Sequence, residues 1–121
     1  MYSRLALSMA FITLFLAAPA HAECVYPEPP DSIPDGSTAT YEEMVEAHKA
    51  VRAFDEDVRT FTTCFELEVK ALLADPSIDE PTKNDLRQLL VLRNNTAIEE
   101  VEFVVGSFNE QLRIFRERDA Q

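Results

Sequence analysis

Two cysteines about 40 residues apart, Cys24 and Cys64, are the residues of this chain best equipped for chemistry. Three uses compete for them: a lipid attached to Cys24, a metal or cofactor site, or a disulfide. A bacterial lipid anchor needs cleavage directly before the cysteine with a small residue preceding it, and in "AHAEC" that place is taken by Glu23. Metal binding by two thiols calls for histidine partners or a close pair, yet there is no C-x-x-C, no C-x-x-C-H and no zinc-type spacing. His48 is the one histidine beyond His21. A disulfide between Cys24 and Cys64 is the reading that remains.

Other reactive types lack the company they would need. A lone histidine without an arranged nucleophile or orienting carboxylate makes no Ser/His/Asp or Cys/His centre. The acidic runs "EEMVE" (42–46), "DED" (55–57) and "EEVE" (99–102) raise the question of a carboxylate-bridged metal pair. Such bundle sites use Glu-x-x-His on facing helices, and the chain has none, so solvated helix faces explain the runs. The sequence therefore predicts no catalytic residue, no metal ligand, no cofactor and no enzyme.

The disulfide depends on compartment. "MYSRLALSMAFITLFLAAPAHA" carries Arg4, then an apolar run of about 14 residues from Leu5 to Ala18, then Pro19 and small residues up to Ala22. That run suits a signal peptide and falls short of the roughly 20 residues of a membrane-spanning helix. Residues 1–22 are thus expected to be cleaved, leaving a soluble, exported chain in an oxidising compartment with no membrane contact after cleavage. Arg4 is the only charged residue in that segment, so cleavage takes the net charge from −11 to −12. So acidic a surface repels nucleic-acid phosphates and anionic lipid headgroups, and it leaves a cationic partner open.

Beyond the leader, residues 23–39 hold Pro27, Pro29, Pro30 and Pro34, then Asp35-Gly36. This reads as an extended strap ending in a turn. Thr40 with Glu43 fits a capping box, so a first helix is predicted over about 40–74. Met44, Val51, Val58, Phe65 and Leu72 recur every seven residues, with Ala47, Phe54 and Phe61 between them, which is an a/d stripe. Pro76 ends it, and Ser77 or Asp79 can cap a second helix over about 79–118 with Pro81 in its first turn. Leu86, Leu90, Ala97, Val101, Val104, Val105, Phe108, Leu112 and Phe115 form its core face. The predicted fold is all-α: a long, coiled-coil-like antiparallel two-helix hairpin with the strap disulfide-linked to helix 1.

Reach permits the link. Cys64 lies about 36 Å along the first helix from Thr40, while the 16-residue strap, extended at about 3.1 Å per residue, spans about 50 Å. Cys64 falls on a flank with Ala50, Ala53 and Thr60, so the strap is expected on the outside of helix 1.

Two further features bear on partners. Asn94 lies on the face of Val101 and Phe108, where a polar residue in the seam fixes register or oligomer state. Leu92, Phe103 and Ile114 recur at intervals of 11 roughly opposite Val101. That second apolar stripe has no partner in a two-helix hairpin, so it is a candidate contact for a dimer or another protein.

The order Cys24, Pro-rich run, "IPDG" (33–36), Met44, Val51, Cys64 and "FNEQLRIF" (108–115) resembles a group of small exported proteobacterial proteins of unknown function. The resemblance implies a periplasmic location and is consistent with the disulfide; it carries no catalytic residues. The expected function is non-enzymatic, through protein–protein contacts and with a homodimer as the leading assembly. The alternative is a small periplasmic binding or chaperone-like module for a cationic peptide, a metal ion or an unfolded client.

Overall fold

The computed structural model describes residues 24–120. Residues 1–22, expected from the sequence to be a signal peptide, lie outside the described residues. Helix α1 spans Tyr41–Ala74 and helix α2 spans Glu80–Asp119. They lie antiparallel across a five-residue connection, so that Met44 and Phe115 line one end while Val58 and Ala97 meet further along.

Each helix begins where its cap dictates. The Thr40 hydroxyl accepts the Glu43 amide at 3.2 Å, and the Glu43 carboxylate accepts the Thr40 amide at 2.7 Å. Two of the otherwise orphaned amide donors are thereby satisfied reciprocally. At α2 the cap is Asp79 rather than Ser77: its carboxylate accepts the Thr82 amide at 3.0 Å. This bond and the adjacent helix terminus favour the charged form, and the Thr82 interaction holds the Asp79 carboxyl below the usual range. Asp75 plays a similar part in the connection by accepting the Ser77 amide and hydroxyl.

The core follows most of the predicted stripe and is thickened by a third layer, but Leu72 is exposed and Val69, outside the stripe, is buried in its stead. Met44, Val51, Phe54 and Val58 of α1 pack in one cluster with Ala97, Val104, Phe108 and Phe115 of α2. The strap contributes Ala39 to that cluster, and Tyr26 and Ile33 pack against it. It runs back along α1 from Thr40 to Cys24, which is bonded to Cys64 across a Cα–Cα distance of 5.8 Å.

The strap is not confined to the outside of helix 1. Its polar contacts go to α2: Tyr26 donates to Glu100, the Gly36 amide donates to Gln111 at 2.9 Å, and Arg118 donates to the Ala39 carbonyl at 2.9 Å. Ala53 and Thr60 stay exposed. The physical reason is that the groove between two helices offers apolar walls on both sides, whereas the flank of one helix offers a single wall. Gly36 makes the close approach possible, since a Cβ there would collide with the Gln111 carbonyl and lie 2.9 Å from the Phe115 amide nitrogen.

Gly106, by contrast, has open space around it, and α2 is continuous through it. It serves no close approach among the described residues.

Candidate functional site

The strap and the surface it leaves bare define the regions able to act on something else. At the upper end of the strap, the Tyr26 ring meets Phe61 edge-on at a centroid distance of 4.9 Å, and Phe61 lies against Phe65 at 5.7 Å. The Tyr26 hydroxyl donates to the Glu100 carboxylate. Burial of the phenol, followed by that hydrogen bond and the negative charge beside it, pushes the Tyr26 pKa up to about 12. One aromatic side chain therefore ties the strap to both helices, nine residues before the Asp35 turn that closes its other end.

That turn is built by Asp35. Its carboxylate accepts the Ser37 amide at 2.8 Å and the Ser37 hydroxyl at 2.7 Å, while its carbonyl accepts the Ala39 amide at 2.8 Å. Hydrogen bonding by Ser37 keeps the Asp35 carboxyl below its ordinary value. The chain thus leaves the strap with its direction already set for the Thr40 cap.

Of the predicted contact stripe, Leu92 and Phe103 are exposed at 63 % and 75 %, while Ile114 is half-buried. The difference follows from the strap. Gln111 and Arg118, three residues before and four after Ile114, hold the strap, so Ile114 shares a face that is already occupied. Leu92 lies nearer the connecting loop than Glu100, where Tyr26 is bonded, whereas Phe103 lies alongside the strapped part. Around Leu92 the far part of the hairpin exposes Leu67, Leu72, Leu89 and Val91 as well.

Asn94 is half-buried, and its side-chain oxygen is enclosed without a hydrogen-bond partner among the described residues. His48 stands exposed at the rim and stacks on Phe108 at 5.8 Å. On the face away from the strap, a shallow groove of about 370 Å³ runs past Tyr41, Val45, His48 and Leu112. The structure does not bring His48 together with a cysteine or a carboxylate into a catalytic arrangement among the described residues.

One residue escaped the sequence reading. Glu68 places a carboxylate oxygen within 4.8 Å of both sulfurs of the disulfide. The signal was present as Cys64-x-x-x-Glu68, an i, i+4 pair on a predicted helix, which puts the two side chains on one face.

No protein-family model, curated protein or solved structure matches the chain. Neither helix of the described residues is long and apolar enough to cross a membrane. The disulfide fits an oxidising compartment.

Proposed function

We propose that this is a non-enzymatic, exported protein of the periplasm that works through protein–protein contacts, with a second copy of itself as the first partner. The observation that carries the reading is the apolar surface left over by the fold. Leu67, Leu72, Leu89, Val91 and Leu92 are exposed on the part of the hairpin that the strap does not cover, and Phe103 is exposed alongside the strapped part. Single exposed apolar residues are ordinary, but five on one part of so small a chain, with Phe103 further along, mark apolar surface that gains from being covered. Two hairpins pairing there would supply the missing helices of a four-helix bundle. The location is supported by the disulfide and by the leader-like first 22 residues.

Light scattering after gel filtration of the mature, oxidised protein tests this. The expected mass is that of two chains, and Phe103→Glu or Leu92→Glu should shift it toward one. A monomeric wild-type protein whose crosslinking pattern is also unaffected by Phe103→Glu would remove the basis of the proposal.

A further inference from the structure

Charge is not spread evenly along the hairpin. Thr62 of α1 and Ala97 of α2 lie level with each other, and the strap ends next to them, where Cys24 meets Cys64. From Thr62 to Thr96, the bare end, the sequence holds six acidic and four basic residues; the other described residues hold fifteen and six. The bare end is therefore close to neutral, at −2, while the strapped part carries −9. It is on the near-neutral end that Leu67, Leu72, Leu89, Val91 and Leu92 are exposed.

On one side of that end, the groove that the strap fills runs on uncovered. At 100° per residue, Leu89 lies within about 20° of Glu100, the α2 residue that accepts from Tyr26. On α1, Glu68 follows Cys64 by one turn and stands beside the disulfide, and Leu72 follows Glu68 by another. Leu72 and Leu89 thus border a continuation of the strap's groove, and both are exposed there. Val91 lies about 160° from Leu89 around α2, on the opposite side of the hairpin.

We propose that a second copy of the chain covers this continuation, in an antiparallel overlap of the two bare ends that points the strapped parts away from each other. The proposal rests on the self-association inferred above and adds which side pairs and in which direction. Two observations fix the direction. Pairing with both strapped parts at the same end would press the two straps together, because each forms a third layer on the pairing side. It would also bring two charges of −9 side by side, at a cost that grows as salt is removed. Antiparallel overlap avoids both. With the two-fold axis at the middle of the bare end, beside Leu89, the centres of the strapped parts stand about 60 Å apart at about 1.5 Å per residue. That is several Debye lengths at physiological ionic strength. The Cys24 end of each strap limits how far the overlap can run, and the two-fold axis makes Leu72 and Leu89 count twice.

Salt, two glutamate substitutions and the lysines test the arrangement. Light scattering of the oxidised, mature protein should give the mass of two chains at about 0.15 M and about 0.01 M salt alike, although the Debye length at the lower value is about 30 Å. Leu89→Glu should raise the dimer dissociation constant about tenfold or more, with helical circular dichroism and the disulfide retained. Val91→Glu adds the same charge on the opposite side and should leave that constant within about twofold. Lys49 lies on the strapped part, and Lys70 and Lys83 lie on the bare end. In a mixture of isotopically light and heavy protein, a lysine crosslinker should join copies through Lys70 and Lys83 and never Lys49 to Lys49. A dimer that links Lys49 to Lys49, forms only at high salt, or survives Leu89→Glu would overturn the arrangement while leaving self-association standing. A monomer under every condition would remove self-association and the arrangement with it.

Discussion

Between Met44 and Phe61 on α1, and between Ala97 and Phe115 on α2, the hairpin has three layers; beyond Cys64 it has two. In the strapped part, Met44, Val51, Phe54, Val58, Phe61, Val104, Phe108 and Phe115 are all buried. In the bare part the one buried large side chain is Val69, while Leu67, Leu72, Leu89, Val91 and Leu92 face solvent. Val58 and Leu72 occupy the same heptad position two repeats apart, yet Val58 is 4 % exposed and Leu72 is 42 %. The heptad pattern decides which face of a helix turns inward. Over two repeats the face drifts, so that in the bare part Val69, at 2 % exposure, takes the inward place while Leu72 turns toward solvent with no third element to cover it.

The comparison makes its largest prediction in the cores themselves. Phe54→Ala removes a side chain that is 3 % exposed inside the strapped cluster and should cost about 3–5 kcal/mol by urea denaturation. Leu72→Ala, at a position already in contact with water, should cost less than about 1 kcal/mol. Similar losses at both sites would mean the two parts are equally packed, contrary to the burial that separates them. A dimer covering the bare part would raise the Leu72→Ala cost as protein concentration rises, which sharpens the contrast rather than removing it.

Next in size is the disulfide. Its 40-residue loop gives a chain-entropy contribution on the order of 4 kcal/mol, and native disulfides in small domains typically supply about 2–4 kcal/mol. Cys24→Ser with Cys64→Ser should therefore lower stability by that amount. Hydrogen exchange locates the effect: amides of residues 24–34 and those around Phe61 should lose protection, while those around Val69 and Leu90 should lose little beyond the global change. Uniform loss along the whole hairpin would show that the strap stabilises both parts alike.

Much of this organisation was legible in the sequence because it rests on local rules. The Thr40–Glu43 capping box places the start of α1, Pro76 and Asp79 fix the connection, and α2 ends at Asp119, one residue past the expected boundary. The Cys24–Cys64 pairing followed from a count of two and a strap long enough to reach. The seat of the strap was not legible. The angular position of Cys64 points to the flank of Ala53 and Thr60, but the segment crosses into the groove because Tyr26 and Ile33 bury apolar area there against both helices. Ile114 is half-buried for the same reason: a helical wheel of α2 cannot show that Gln111 and Arg118, on its own face, hold the strap. Glu68 went unnoticed because its closeness to the disulfide depends on Cys24, 44 positions earlier, arriving beside it.

The smallest predicted effect isolates the upper end of the strap by pH. The Tyr26 phenol, raised from 10.0 to about 12 by burial and by its bond to Glu100, is bound in its neutral form. A group whose pKa is higher in the folded state stabilises that state fully below its unfolded value and loses the contribution as pH rises through the folded one. The strap should thus hold at neutral pH and loosen between about pH 10 and 12, while the disulfide keeps it tethered. The methyl resonance of Ile33, the strap residue packed against the core, would report the loosening. Tyr26→Phe keeps the ring on Phe61 but gives up the hydrogen bond, at a cost of about 1 kcal/mol at neutral pH, and should erase the alkaline transition. If the same Ile33 transition persists in Tyr26→Phe, the phenol does not govern the strap, and the contact that secures the three-layered part must be sought at the Asp35 turn instead.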